Sequence, residues 1–440
     1  MTFDDMAGIL CREMTSAERV EAALHAIAQH NPGTNAFILI DADGARAQAA
    51  RADDETAHGI NRGPLHGMPV SIKDLIDIAG QPTTAGSQVL SDNIATADAP
   101  VITRLRDAGA VLIGKTNLHE FALGTTCEDS GFGPVRHPRD HSRSPGGSSG
   151  GSAVAVATGM SAMSVGSDTG GSVRIPAAAC GIVGLKPSLH DVPTQGTIPL
   201  STTFDHVGPL TRSVEDAAAM WRVLAARPND VAAPADLTTL KFAVLDGYFL
   251  DPLEAPVREA FERSLDLLRR AGVAIERRSL AATSTILDVY VRIVLSEAAA
   301  WHAKYLGTRA DRYRPNVHAR LLAGRDFTAI DYLSAKESCA AFRVSVDLAL
   351  HGIDALILPT LPILAPTLGQ AEITIGDRQV PIRAAMLRNT QLFNMTGHPA
   401  ITLPMRMPDG TLPAGLQIVG ALDSTSRLLS IAASCETVVS

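Results

Sequence analysis

The chain predicts an α/β fold, a single-domain α/β/α sandwich around a large mixed, twisted sheet. Three observations lead there. Short apolar runs alternate with longer amphipathic segments along most of the 440 residues. No linker is long enough to divide them, so residues 1–440 read as one domain. Hydrophobic residues make up 46% of the chain and charged residues only 19%, which allows a large core without disulfides.

In chain order, Thr15 and Glu18 form a capping-box pattern, and Val20, Ala23, Leu24 and Ile27 recur at helical spacing, predicting a helix over 15–30. Ala36 to Ile40 predicts a strand, followed by an Ala/Arg-rich helix to about residue 56. Met68 to Ile72 reads as a strand ending at Lys73, Pro100 to Asp107 as a helix, and Ala110 to Ile113 as a buried strand. Residues 137–151, HPRDHSRSPGGSSGG, carry no hydrophobic period and predict a loop. Residues 152–186 are dense in Ala, Gly, Ser and Val, which lets backbone pack closely on backbone. Further on, Lys241 to Leu245, Val273 to Ile275 and Ala355 to Leu358 predict strands, and Ala255 to Arg270 an amphipathic helix. Ala400 to Met405 and Gly415 to Val419 flank a hairpin-like connection at Pro408-Asp409-Gly410.

Charge and composition narrow the function. The net charge is −8 with no basic stripe, which argues against nucleic acid as a partner. The five cysteines (Cys11, Cys127, Cys180, Cys339, Cys435) are odd in number and lack CxxC spacing. They point away from a metal site or disulfide framework and towards a reducing cytoplasm. The N-terminal MTFDDMAGIL lacks the pattern of a signal peptide, and no run of 18 apolar residues predicts a membrane span.

Three motif matches compete. Gly109-Ala-Val-Leu-Ile-Gly114-Lys115-Thr116 fits the phosphate-binding GxxxxGK[ST] pattern. Its variable residues are strand formers, however, whose N–H groups would be spent on a sheet ladder rather than on phosphate. Gly147-Ser148-Ser149-Gly150-Gly151 fits the GxSxG pattern of esterases with Ser149 as nucleophile, but Arg143-Ser144-Pro145-Gly146 before it is no strand. The third match is much longer. It runs from Gly146-Gly-Ser-Ser-Gly-Gly-Ser152 through Gly166-Ser-Asp168-Thr-Gly170-Gly171-Ser172-Val-Arg174-Ile-Pro176 to Gly184-Leu-Lys186-Pro187, with Gly67-Met-Pro69-Val-Ser-Ile-Lys73-Asp74 upstream.

This third set closely resembles the amidase signature family of serine hydrolases. The resemblance extends to Gly114-Lys115-Thr116-Asn117, Phe132-Gly133-Pro134 and Gly415-Leu416-Gln417, with a signature core over about 60–220 and a weaker match across 225–350. It implies that Ser172 is the nucleophile, with Ser148 and Lys73 as its proton relay and a cis peptide at Gly147–Ser148. It implies backbone donors at Thr169, Gly170 and Gly171 for the oxyanion. Asp168 and Arg174 are expected to form an ion pair shaping the turn, with Ser149 beside them. The relay needs a neutral amine, and at its ordinary pKa only about one lysine in 2,500 is neutral at pH 7. Burial in an apolar wall, as the flanks Met68 to Ile72 suggest, would lower that pKa. The bland reading of Lys73 is a surface lysine paired with Asp74. For Ser172 it is a helix N-cap.

Such a site needs neither metal nor organic cofactor. The expected partner is a small-molecule amide or carbamate bound by a monomer or homodimer. Thr126 and Cys127, together with Leu287, Tyr290, Trp301, Tyr305, Met386, Leu387 and Phe393 from a variable region over about 281–395, are candidates to line its pocket; the apolar and aromatic ones suggest an aryl or otherwise hydrophobic amide. Carbamates and esters suit the same chemistry. The transferase alternative is a glutamine amidotransferase subunit, whose arginine-bearing segment Val317-His318-Ala-Arg320-Leu-Leu-Ala-Gly324 loosely resembles. Those subunits place an acidic residue upstream of their Asn-x-x-Gly-x-Pro segment, where this chain has Leu387 next to Arg388.

Overall fold

A computed structural model describes residues 14–230 and 233–440. The MTFDDMAGIL stretch and Cys11 lie outside the described residues.

The first helix, α1 (Ser16–Thr34), starts at the predicted capping box. The Glu18 N–H donates to Thr15 Oγ1 at 3.2 Å, and the Thr15 N–H donates to Glu18 Oε2 at 2.8 Å. Strand β1 (Phe37–Ile40) and helix α2 (Ala42–Ala57) follow, then β2 (Pro69–Lys73), α3 (Pro100–Asp107) and β3 (Val111–Thr116). Strand β3 runs past the predicted end at Ile113 and takes in Gly114-Lys115-Thr116. It pairs with β1 on one side and β2 on the other, so the phosphate-loop pattern is sheet ladder. Helix α4 (Gly150–Ala157) opens inside the end of the predicted loop, and β4 (Met163–Asp168), α5 (Arg174–Cys180), β5 (Val183–Lys186), β6 (His206–Thr211) and α6 (Val214–Leu224) complete this half.

The second half holds β7 (Lys241–Leu245), α7 (Ala255–Arg270) and β8 (Ala274–Arg278). Residues 281–350, for which the sequence predicts no elements, form three helices, α8 (Ile286–Leu306), α9 (Pro315–Ala323) and α10 (Ala329–Leu350). Then come β9 (Ala355–Pro359), a separate hairpin of β10 (Glu372–Ile375) and β11 (Arg378–Pro381), α11 (Ile382–Leu387), α12 (Gln391–Thr396), β12 (Ala400–Pro404), β13 (Gly415–Val419) and α13 (Thr425–Val439).

Among the described residues, eleven strands make one mixed sheet in the order β1-β3-β2-β4-β6-β5-β12-β13-β9-β7-β8. Two parallel groups, β3-β2-β4 and β9-β7-β8, are joined through antiparallel β6, β5, β12 and β13. Parallel strands need both faces covered, which explains their continuous apolar runs. Within β3, Val111 and Ile113 face one hydrophobic cluster with α1, α2 and α4, while Leu112 faces the other.

Glycine is required where α4 meets this sheet. A Cβ on Gly151 would lie 2.4 Å from the carbonyl oxygens of Ala36 and Asn117. Neither backbone can yield without disturbing β1 or the end of β3. We expect Gly151→Ala to lose about 1–3 kcal/mol of stability, read as a lower urea midpoint at unchanged slope. An unchanged midpoint would contradict this packing.

Candidate active site

Strand β2 lies between β3 and β4, all three parallel, so the ends of β2 and β4 bring Lys73, Ser167 and Asp168 to the same edge of the sheet. Carboxyl ends of parallel strands are where such sheets usually build sites. Lys73 is fully buried. Its Nζ donates to Ser148 Oγ at 2.7 Å and to Ser167 Oγ at 2.8 Å. It is no surface lysine, and Asp74 is not its partner. Asp74 instead meets the buried Lys115 at 2.9 Å, with Lys115 also donating to the Pro82 carbonyl. Removal from water pushes the Lys73 ammonium down to about 7.

Ser148 sits on the loop before α4, with the Gly147–Ser148 peptide cis. Its carbonyl accepts from the His119 N–H (3.2 Å) and from the Cys127 thiol (3.1 Å). Cys127 is wholly buried, and its Sγ also accepts from the Gly150 N–H. Burial pushes its thiol up to about 11. Cys127 thus holds the loop from behind. The Ser149 N–H donates to the Ser172 carbonyl at 3.2 Å, setting the two serine segments side by side. The Ser149 hydroxyl is spent on the Ser167 carbonyl (3.1 Å), and among the described residues no histidine hydrogen-bonds to it, which removes the basis of the GxSxG reading.

Ser172 lies between β4 and α5, its side chain at the edge of the accessible surface. It does not cap α5; that position falls on Val173. The capping work is done by Asp168, whose carboxylate accepts from the N–H groups of Gly171 (2.7 Å), Val173 (3.1 Å) and Arg174 (3.3 Å). Gly171 therefore directs its N–H at Asp168. Among the described residues, the N–H groups of Thr169, Gly170 and Ser172 find no protein acceptor.

The expected ion pair is present and fully buried, with Arg174 Nη2 2.9 Å and Nε 3.0 Å from the Asp168 oxygens. Arg174 also donates to Gln417 Oε1 (2.7 Å), Asn394 Oδ1 (2.7 Å) and the Thr390 carbonyl (3.1 Å). Burial opposes ionisation of Asp168, but the Arg174 charge, its hydrogen bonds and Asn394 Nδ2 outweigh it and hold the carboxyl well below its usual range.

The loop at Gly170-Gly171 is walled by side chains from the second half of the chain. A Cβ on Gly170 would lie 2.3 Å from the Tyr290 hydroxyl and 3.0 Å from Leu387 Cδ2, and one on Gly171 would lie 2.2 Å from Thr390 Oγ1. Thr390 Oγ1 donates to the Gly170 carbonyl at 2.6 Å. Of the pocket candidates, Leu387 and Tyr290 thus reach the Ser172 loop. Met386 and Phe393 are core. Trp301 is half-buried in a ring cluster with Phe121 and Tyr305, Leu287 packs on the core, and the Thr126 carbonyl accepts from Ser144. Thr390 carried no signal of its own. Ser167 and Gln417 stood in motif matches and Asn394 opens the Asn-x-x-Gly-x-Pro segment of this chain, each without a role, although buried polar groups in apolar strands and helices demand partners.

Elsewhere, a cavity of about 780 Å³ between α1 and α2, lined by Thr15, Arg19, Asp53 and His66, holds none of these groups. Among the described residues no three His, Cys, Asp or Glu side chains gather to hold a metal ion, and no helix is long and apolar enough to cross a membrane.

A buried lysine bonded to a loop serine, next to a second serine on a glycine-rich turn, defines a site of the serine-and-lysine type on a mixed α/β sheet. The chain belongs to the amidase family, whose model matches residues 18–429. It is 36% identical to a glutamyl-tRNA(Gln) amidotransferase subunit from Roseiflexus sp. (strain RS-1), over 98% of this chain and 95% of the relative. Among solved structures, a crystal structure of an amidase superposes with a TM-score of 0.92 at 38% identity, covering 99% of both chains. A structure described as "an unexpected vestigial protein complex" that bears on the origins of an s-triazine catabolic enzyme gives 0.91 at 32% identity, covering 100% of this chain and 99% of that one.

Asp168→Asn would leave the Arg174 guanidinium buried and uncompensated. We expect a loss of about 3–5 kcal/mol of stability at neutral pH. Because the folded carboxyl titrates below its unfolded value near 3.9, the wild-type contribution is fully present above about pH 4 and fades as pH falls further. Chemical denaturation at pH 7 and at pH 3 checks this; the gap between wild type and variant should narrow at the lower pH.

Proposed function

We propose that the protein cleaves a carboxylic amide through an acyl-enzyme on Ser172, and that it is a hydrolase acting on carbon–nitrogen bonds in linear amides. The observation that carries this is the buried Lys73 amine 2.7 Å from the Ser148 hydroxyl. A serine hydroxyl attacks well only when its proton is removed. With Lys73 neutral, its lone pair accepts the Ser148 proton while Ser148 accepts that of Ser172. The Ser172 oxygen bonds to the substrate carbonyl carbon, and the N–H groups of Thr169 and Gly170 stabilise the oxyanion. Gly171, its N–H engaged with Asp168, acts by fixing the turn. Collapse breaks the C–N bond as Lys73 returns a proton through Ser148 to the leaving nitrogen. Water then attacks the Ser172 ester along the same relay and releases the acid. Carbamates and esters could be cleaved by the same steps.

The names of the curated relatives favour a second reading, in which glutamine is the amide and the chain works as one subunit beside other proteins. It shares every step up to the acyl-enzyme and would liberate ammonia for transfer. Against glutamine stands Leu387, an apolar side chain where an ammonium-binding carboxylate is expected. The hydrolase reading goes with a free-standing monomer or homodimer in the cytoplasm.

A panel of aryl amides, aliphatic amides, carbamates and glutamine tests both readings. Ser172→Ala should abolish turnover of whichever substrate responds, and Lys73→Ala or Ser148→Ala should lower kcat by orders of magnitude. A fluorophosphonate should label Ser172; labelling of Ser149 instead would sink the proposal. Glutamine turning over best, and faster with a partner protein, would select the second reading. A further expectation concerns pH. Lys73 must be neutral, so kcat/KM should rise with pH through about 7 and then level off. A rise centred above pH 9 would contradict a buried amine.

A further inference from the structure

Arg383 stands apart from the other arginines at this end of the fold. It lies on α11, four residues before Leu387, so the two share a helix face. Leu387 is one of the two side chains walling Gly170, and the other, Tyr290, lies close enough to Arg383 to bear on it. The Arg383 side chain keeps some accessible surface although protein surrounds it on nearly all sides. Its Nε is buried with no acceptor, and among the described residues no carboxylate forms an ion pair with it.

Arg388, at the end of the same helix, shows what a satisfied arginine looks like here. It donates to the carbonyls of Tyr248 and Asp251, each at 2.8 Å, and its guanidinium lies 3.9 Å over the Tyr248 ring. Arg383 has nothing comparable. A second cation, Arg320, is near enough to act on Arg383 and on the buried imidazole of His119, whose Nε2 lies 3.7 Å from Asp129 Oδ2. Arg320 gives Nη1 to the Leu123 carbonyl at 2.8 Å, and burial, with Arg383 nearby, pushes it down to about 10. A buried cation without a counter-charge is costly; the Asp129 carboxylate offsets the charge of Arg320, whereas Arg383 has no such partner among the described residues. A bound anion would remove that cost. The planar guanidinium fork matches a carboxylate in particular.

We propose that Arg383 recognises a carboxylate on the substrate, so that the cleft selects amides carrying a second, anionic group in place of the hydrophobic amides suggested by the pocket's apolar residues. The inference rests on Ser172 marking the reaction centre, but its test does not require turnover. Succinamate and glutaramate, each an amide with a free carboxylate, are titrated calorimetrically into the full-length Ser172→Ala protein beside the neutral succinamide and glutaramide. The carboxylates should bind about 30-fold or more tightly than their neutral counterparts. Arg383→Met in that background should erase the preference, Arg383→Lys should restore part of it, and Arg388→Met should leave it unchanged. Thermal unfolding and circular dichroism establish that each variant is folded. Equal binding of charged and neutral amides, no binding of the carboxylates, or a preference that survives Arg383→Met would each overturn the proposal. Failure of the Ser172 reading would appear separately, as absent fluorophosphonate labelling in the wild type.

Discussion

The site depends on keeping one amine out of water. Lys73 sits at the end of a central strand with neighbours on both sides and helices over both faces. A lysine that titrates near 7 when folded and near 10.5 when unfolded weakens the fold by about 4 kcal/mol at neutral pH. The sign is that of a depressed base: the penalty is absent above the unfolded value and grows as pH falls towards the folded one. Only a sheet wide enough to bury both faces of its parallel strands can carry such a cost. The hydroxyls of Ser148 and Ser167 give the amine polar company without a counter-charge. The nearest carboxylate in sequence, Asp74, is drawn off by Lys115.

A second constraint ties the halves of the chain together. Asp168 and Arg174 belong to the turn that presents Ser172, yet Arg174 is completed by Thr390, Asn394 and Gln417. The same turn is walled by Tyr290, Leu387 and Thr390. The glycines at 170 and 171 are therefore spaces for side chains from far along the chain as well as flexible backbone. This explains why matching positions recur near residues 394 and 417 rather than stopping with the serine loops. It also means that side chains carried by α8 and α11 wall the turn that presents Ser172.

Much of this was legible in the residues. Apolar alternation places β7 and α7 where they are found, and the Thr15–Glu18 pattern marks the start of α1. Lys73, Ser148 and Ser172 could be singled out because each sits in a short, dense local pattern. The missed features share a physical cause, since each depends on contacts across hundreds of residues. Helix α8 packs on α9, α10 and α12, and α10 packs on α12 as well, which blurs the simple amphipathic period that identifies α7. Ser167 reads as a small residue in a strand until Lys73 is placed beside it. Thr390 and Arg383 acquire meaning only once Gly170 and Gly171 are seen to lie against their helices. The Gly171 N–H, expected to face the substrate, is engaged by Asp168, because an isolated turn sequence does not reveal which way a carboxylate folds back.

The most direct test of the central claim follows the Lys73 amine itself, by nuclear magnetic resonance of protein labelled at lysine, with Lys73→Arg used to assign the signal. The account predicts that this one resonance titrates near pH 7 while surface lysines titrate near 10.5. A Lys73 signal that moves with the surface lysines would contradict it.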